Sequence, residues 1–462
     1  MVKFVPNIVV LDYLTAIGSK DTSVMNIATK HLRPGYQNQM RYCQTDGSFG
    51  LWQNYGGSVF LTAFVAKSMQ TASKYISEVD VTMVPSAFQW LATKQQYDGR
   101  FDEVGSVIHK DMQGGLRNGI ALTSYVLIAF LENENAKVTH TKVIEKSVDY
   151  ITRRLPQVTD IYDLSIATYA MMLSNQNHHL KQDFMKRLMD KSTVYGNGTF
   201  RYWNRHSHSI ETTGYALLAM VQDGKFLDSV PVMRWLVSQR YVTGSIPRTQ
   251  DTFVGLKALT KLAEVISPSR NDYFIQLEYK AQTKKFIVTS QDIVTQIFQD
   301  IPSDVKKIYI SVAGMGFGLL DVKYEYATDL RNYKHRFDLT LEKLNTSLDY
   351  ELKLKICVSF NPKHRNDRSN MALVEVNFPT GYIVDHNPIT EATTVNPIQT
   401  IDVRFGGTSV MAYYASMGTE KNCFVTTAYR RFKVAVKRPA YVFVQDYYDP
   451  KLNAIMHYEV TP

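Results

Sequence analysis

The sequence predicts a multidomain chain, an α/α toroid of about six helical hairpins followed by all-β modules, and three observations carry that prediction. Five apolar helix-like runs recur through the first part of the 462-residue chain. Asp/Asn-Gly turns that each lead into an aromatic residue recur between them. Near "EVISPSRNDYF" the helical periodicity gives way to alternation of apolar and polar residues.

The runs are "LTAFVA" (61–66), "LTSYVLIAF" (122–130), "LSIATYAMML" (164–173), "ETTGYALLAM" (211–220) and "DTFVGLKAL" (251–259). Each is hydrophobic around most of its circumference and has to be buried on all sides. Segments such as "SAFQWLATKQQ" and "VMRWLVSQRY" have only one apolar face. Spacings of about 40–60 residues between buried helices mark a repeated helical hairpin. Fully buried helices alternating with one-sided ones predict an inner ring wrapped by an outer ring. "TDGSFGLW" (45–52), "YDGRFDEVG" (97–105) and "GNGTFRYW" (196–203) supply the tight turns.

Strand patterns follow in two groups. "YFIQLEY", "KFIVTS", "KIYISVA" and "LLDVKYEY" predict a small β module. "RFDLTLEKL", "YELKLKICVSF", "MALVEVNF", "VMAYYASM", "CFVTTAYRRFKVAV" and "AYVFVQDYY" predict an antiparallel sandwich of six or more strands. The expected domains are residues 1–268, 269–329 and 330–462.

Composition excludes several classes of function. No apolar run reaches the length of a membrane span. The net charge of +9 is spread among 43 acids without a basic cluster, which describes a mildly cationic surface rather than a nucleic-acid interface. The three cysteines, Cys43, Cys357 and Cys423, form no CxxC pair, so no metal site is expected. A Cys357–Cys423 bridge would staple the sandwich, while Cys43 is either free or bonded outside this chain. Two sequons, at Asn197 and Asn345, suit a secreted, glycosylated chain. "GMGFG" (314–318) leads into a strand pattern, where a phosphate loop needs a helix. His206 and His208, like His178 and His179, have no carboxylate or cysteine beside them to complete a metal set. Toroidal enzymes such as terpenoid cyclases need aspartate-rich clusters or a zinc set, and neither is evident. No cofactor is expected. His109, in "SVIHKDMQGGL" (106–116), has by its local pattern the makings of an ordinary core side chain.

Several stretches resemble the C-terminal part of the alpha-2-macroglobulin and complement family, and in particular its insect thioester-containing members. "MVKFVPNIVVLDYL" resembles the helix that follows the thioester motif Cys-Gly-Glu-Gln-Asn. "GYQNQMRY", "VFLTAFVAKSM", "DGRFDEVGSVIHKDMQGGLRNGIALTSYVLIAFLE" and "TQDTFVGLKALTKLAE" resemble the thioester domain. "NMALVEVNFPTGY" and "RPAYVFVQDYYDP" resemble the last macroglobulin-type domain. The resemblance implies a thioester-domain toroid, the closing part of a CUB module and a receptor-binding sandwich. The thioester motif itself is not in the sequence, which reads as a fragment beginning just after it.

The resemblance also implies a chemistry and a biology. It implies a secreted, haemolymph-borne opsonin of innate immunity that tags pathogen surfaces covalently, in a single use rather than by turnover. The alternative within the family is a protease-trapping inhibitor. His109 matches the imidazole that directs acyl transfer to hydroxyls, and inhibitor-type members generally carry Asn there. Asp111 either orients that imidazole or is a solvated acid. Phe378, Tyr413, Tyr447 and Tyr448 match aromatics that shield the thioester, or are ordinary sandwich aromatics. Cys357 and Cys423 match a disulfide pair. The implied partners are hydroxyl-bearing glycans of a pathogen surface, the N-terminal part of the same protein, an activating protease and leucine-rich-repeat immune proteins. No nucleic acid and no membrane span are expected. The stretch 381–403 contains no Lys or Arg, so no lysine-dependent clearance receptor is expected to bind it.

Overall fold

The computed structural model describes residues 4–460 apart from 19–21, 51–55, 81, 106–112, 175–177, 206–207, 241–245, 247, 267–270, 290–298, 317, 319, 321, 323, 325, 327–328, 330–332, 363–367 and 435–439. Two compact units divide near residue 323.

The first unit opens with helices α1 (Val5–Ala16), α2 (Thr22–Met40), α3 (Val59–Ala72), α4 (Met83–Thr93), α5 (Ile120–Leu131), α6 (Glu134–Thr139) and α7 (Thr141–Arg154). It continues with α8 (Ile161–Leu173), α9 (His178–Asp190), α10 (Ser209–Gln222), α11 (Phe226–Ser238) and α12 (Thr249–Ile266). A short hairpin, β1 (Thr193–Tyr195) and β2 (Phe200–Tyr202), lies between α9 and α10. Helix α1 packs on α3, α3 on α5, α5 on α8, α8 on α10, α10 on α12 and α12 back on α1. That closed circuit is the inner ring, and α2, α4, α7, α9 and α11 each pack on the outside of one or two of its members. Every apolar run recognised in the sequence falls on an inner helix. In α5 every residue after Ile120 is buried, because the ring leaves it no solvent-facing side.

The Asp/Asn-Gly turns have a common purpose. After each turn an aromatic residue returns to the core: Phe49, Phe101 and Trp203 are 1%, 0% and 0% exposed. The backbone N–H of each donates to a threonine hydroxyl in an inner helix: Phe49 to Thr62 at 2.9 Å, Phe101 to Thr123 at 2.9 Å and Trp203 to Thr213 at 3.1 Å. A buried N–H outside any helix or strand needs such a partner, so one device serves three repeats.

After the helices the first unit contains a three-stranded antiparallel sheet, ordered β4-β3-β5, from β3 (Asp272–Tyr279), β4 (Gln282–Val288) and β5 (Tyr309–Met315). Every residue of β5 is exposed, apolar Val312 and Met315 among them. The predicted fourth strand, "LLDVKYEY", is not formed by the described residues of that stretch, and the others lie outside the description.

The second unit is an antiparallel sandwich. One sheet, ordered β6-β7-β12-β9, comprises β6 (Phe337–Leu344), β7 (Glu351–Phe360), β12 (Asn422–Arg430) and β9 (Tyr382–Thr390). The other, ordered β10-β11-β8-β13-β14, comprises β10 (Ile398–Arg404), β11 (Ser409–Tyr414), β8 (Ala372–Asn377), β13 (Ala440–Asp446) and β14 (Asn453–Tyr458). Alternate residues such as Leu354, Ile356, Val374, Val376, Val442 and Val444 build its core. Strands β9, β10 and β14 go beyond the sequence reading. The first two arise from a region where short apolar stretches are broken by Pro388, Asn396 and Pro397.

Cys357 and Cys423 are joined by a disulfide. They are directly opposed on the neighbouring strands β7 and β12, with Cα atoms 4.1 Å apart. The bridge therefore ties two strands of one sheet and does not staple the two sheets together. Cys43 is a half-buried thiol whose Sγ–H donates to the Gln44 carbonyl, and burial raises its pKa, with Asp46 adding to the effect.

Candidate functional site at the amino-terminal pole of the ring

Five inner helices, α3, α5, α8, α10 and α12, begin at one pole of the ring, where their unpaired N–H groups leave a positive field. Acidic side chains gather there. Glu103 caps α3: one carboxylate oxygen accepts from the N–H of Val59 at 2.8 Å, and the other from the N–H of Phe60 at 3.1 Å and the Ser58 hydroxyl at 3.0 Å. The N–H of Glu103 donates to the Asn118 side chain at 2.9 Å, just ahead of α5. Asp160 caps α8 through the N–H groups of Tyr162 and Asp163. It also accepts from Arg205 at 2.9 Å and Arg117 at 3.0 Å.

The deepest member is Glu211, in the first turn of α10 and fully buried. Its Oε2 accepts from the N–H of Gly115 at 2.9 Å, and its Oε1 accepts from the Tyr162 hydroxyl at 2.7 Å. The N–H of Glu211 donates to Asp251 at 2.9 Å, at the start of α12. Burial, reinforced by the neighbouring Asp251 charge, pushes the Glu211 carboxyl up to about 8. Burial also raises Asp251, to about 6, against the pull of Arg248. At neutral pH Glu211 is therefore mainly protonated, as a buried acid beside a second acid should be.

The segment between Glu103 and Asn118 carries the residues singled out by sequence. His109 and Asp111 lie outside the described residues, and so does His206. The described ends of that segment are tied to the pole, at Glu103 by its carboxylate on α3 and at Gly115 by its N–H on Glu211. His208 follows Arg205 at the start of α10, and burial together with Arg248, Arg205 and Arg117 lowers its pKa to about 4. A neutral imidazole ringed by arginines is a poor place for a metal ion. His178 and His179 begin α9.

The aromatics expected to shield a thioester occupy different settings within the sandwich. Phe378 is 4% exposed and belongs to the core. Tyr413 lies on the opposite face of β11 from the core residues Val410, Ala412 and Tyr414, and its hydroxyl accepts from Arg404 at 3.0 Å. Tyr447 is 49% exposed and meets the Tyr448 ring edge-on at 5.2 Å. Buried Asp446 organises that turn by accepting from the N–H groups of Tyr448 and Asp449 and from Asn370. The two sequon asparagines are exposed, Asn197 at the β1–β2 turn and Asn345 after β6.

Sequence reasoning passed over Glu103, Tyr162, Glu211 and Asp251. A signal was present, since "ETTGYALLAM" and "DTFVGLKAL" place an acid at the head of a run predicted to be buried on all sides. Such an acid has to bond to something specific.

Residues 1–262 match the family described as the A-macroglobulin TED domain. Residues 267–326 match the second CUB domain of TEP1, and 367–459 the A-macroglobulin receptor binding domain. Thioester-containing protein 1 allele S3 of Anopheles gambiae is 61% identical over 460 residues, covering 100% of this chain and 34% of that protein. Ovostatin of Gallus gallus is 26% identical, over 99% of this chain and 32% of its own length. Complement C3 of Naja naja is 25% identical, over 97% of this chain and 28% of its own length. The chain thus spans about a third of the length of the relatives it matches.

Proposed function

Because the chain belongs to the thioester-containing A-macroglobulin and complement family, we propose that it is the C-terminal part of a secreted, complement-like opsonin that tags surfaces covalently through an internal thioester. The proposed domains are 1–268, 269–329 and 330–462, with the thioester motif contributed from outside this sequence. The observation that carries the proposal is the tethering of both described ends of the 103–118 segment to the helical pole, one through the Glu103 carboxylate on α3 and one through the Gly115 N–H on Glu211. Two fixed ends suit a segment whose side chains have to be aimed.

In the proposed mechanism His109 acts as a nucleophile. Its neutral imidazole nitrogen bonds to the thioester carbonyl carbon, the carbon–sulfur bond breaks, and the electron pair leaves on the cysteine sulfur. A hydroxyl oxygen then bonds to the same carbon while the thiolate takes its proton. The imidazole is released and an ester joins protein to target, so each molecule reacts once. Asp111 is the proposed orienting carboxylate. Hydroxyl-bearing glycans are the proposed targets and an upstream-cutting protease the proposed trigger. Leucine-rich-repeat immune proteins are proposed as soluble partners and haemolymph as the setting. Among the described residues no helix is long and apolar enough to cross a membrane.

Tyr413, Tyr447 and Tyr448 are the proposed shielding residues, with Phe378 supporting them from the sandwich core. Replacing each in turn by Ala in the full-length protein should shorten thioester lifetime, and unchanged lifetimes in all four would remove the shield from the proposal. The decisive test is His109→Asn in full-length, protease-activated protein. Transfer to glycerol should fall by about 100-fold or more, the usual worth of such a group, while transfer to methylamine persists. Undiminished glycerol transfer would make His109 a structural residue.

A further inference from the structure

We infer that Glu211 is a positioning residue for acyl transfer: by gripping the Gly114–Gly115 backbone it fixes where the His109-bearing segment rejoins the helical pole. The inference rests on the role proposed for His109, and its geometry lies wholly in described residues.

The grip has three components. Glu211 Oε2 accepts from the Gly115 N–H at 2.9 Å, and this is a contact between residues 96 positions apart. The carboxyl is itself held by the Tyr162 hydroxyl of α8 on Oε1, and the Glu211 backbone is held by Asp251 of α12 through the Glu211 N–H. The glycine pair then closes onto this group. A Cβ on Gly114 would come within 2.1 Å of Glu211 Oε2, and one on Gly115 within 2.5 Å of the Tyr162 ring. Gly114 also has a φ of +61°, a region that disfavours other residues. Two glycines are needed here because the backbone lies directly against the acid.

Stability alone is a poor reason for this arrangement. Glu211 has Tyr162 beside it from α8, Tyr125 from α5, Asp251 and Arg248 from the α12 side and Tyr215 from its own helix. An acid in such surroundings is costly to bury, and one backbone N–H and one tyrosine hydroxyl are a small return. A rigid group that places a loop end is the recognised use of buried polar side chains beside reacting segments, because small displacements of reacting groups cost large factors in rate.

The test uses full-length protein cleaved by protease, with labelled glycerol and methylamine as competing acceptors and with hydrogen exchange of α8 and α10 as a folding control. In Glu211→Ala the glycerol-to-methylamine ratio should fall about tenfold while methylamine uptake continues. In Glu211→Gln, whose amide oxygen can still accept the Gly115 N–H, the ratio should recover most of the way. Gly114→Ala, which leaves the Glu211 side chain in place but forces the backbone off it, should reproduce the Ala defect. A folded Glu211→Ala protein with the wild-type ratio, beside a His109→Asn protein that has lost it, overturns the positioning role alone. A His109→Asn protein that keeps the ratio overturns the underlying role of His109 and this one with it. Should Glu211→Ala fail to fold, Gly114→Ala decides: a wild-type ratio there refutes the inference.

Discussion

Lys67, Glu211, Arg248 and Asp251 are all buried inside the first unit, whereas among the described residues of the sandwich Asp446 is the one buried Asp, Glu, Lys or Arg, at the end of a strand. The contrast follows from how each architecture treats its backbone. Sheet strands pair their own N–H and C=O groups along their length, so the sandwich interior can be nearly all apolar. A ring of helices brings many unpaired N–H groups to one pole, and side chains such as Glu103, Asp160 and Asp251 are needed to satisfy them. Polar groups that serve the fold at that pole also hold the backbone at Gly115, as Glu211 does. Toward the other end of the inner helices, Glu132 is bonded to Lys257 and to the Tyr169 hydroxyl, with Lys67 at 4.0 Å. Burial would raise the Glu132 pKa, yet the two lysines hold it at about 2.

The contrast predicts where damage stays. The largest effect is expected from Trp203→Ala. Its indole is completely buried, donates to the Leu188 carbonyl at 2.7 Å and fills the space behind the third turn. The loss should be about 3–5 kcal/mol, read as lost hydrogen-exchange protection in α9, α10 and α11, with protection in β7 and β12 unchanged. Equal loss in the sandwich strands would mean that the two units unfold as one.

Next in size is the pH response of Glu211→Gln. The Glu211 pKa rises from 4.5 to about 8 on folding, so the folded state keeps a proton that the unfolded chain releases. Its favourable contribution is complete below pH 4.5 and is lost as pH climbs through 8, at up to about 1.4 kcal/mol per unit. Asp251 acts in the same direction between 3.8 and about 6, and it remains in the variant. Glu211→Gln should therefore match the wild type near pH 4.5 and exceed it by roughly 2–4 kcal/mol at pH 8 in denaturant titrations that follow the helices. A difference independent of pH would place the wrong residue at the centre of the pole. The sandwich, which does not contain Glu211, should show no difference between variant and wild type over this range.

Converting Cys357 and Cys423 to Ala sharpens the same contrast from the other side. The bridge spans 66 residues, and its loss should cost the sandwich about 2–4 kcal/mol. Because that stabilisation acts chiefly on the unfolded chain, protection should fall in both sheets, in β8, β11 and β13 as well as in β7 and β12, while the inner helices keep theirs. Loss confined to β6, β7, β12 and β9 would show that the bridge acts only on its own sheet.

Much of this organisation was legible in the sequence. The inner helices announced themselves because a helix surrounded by protein has no polar face, and the β segments because one-sided burial imposes alternation. Strand β9 escaped because Pro388 interrupts its apolar residues, and β10 because its apolar residues are few and directly follow Pro397. His109 stood out through resemblance and lies outside the described residues, so the legibility of the pole rests on Glu211. Glu211 did not stand out, since its meaning depends on a partner 96 positions away that only the closed ring supplies.

The smallest effects come from threonine-to-valine changes, and they test the contrast most directly because the substitution is nearly isosteric. In the helical unit the hydroxyls of Thr62, Thr123 and Thr213 accept the N–H of Phe49, Phe101 and Trp203. Valine at any of these positions leaves a buried N–H without an acceptor, at about 1–2 kcal/mol each. In the sandwich Thr426 is also fully buried, but its hydroxyl has no hydrogen-bond partner among the described residues. There the hydroxyl bears a desolvation cost with nothing to offset it, so Thr426→Val should be neutral or stabilising by up to about 1 kcal/mol. Chemical denaturation of the four single variants gives the comparison. A destabilising Thr426→Val, or a silent Thr123→Val, would mean that buried polar groups do not divide between the two units as proposed.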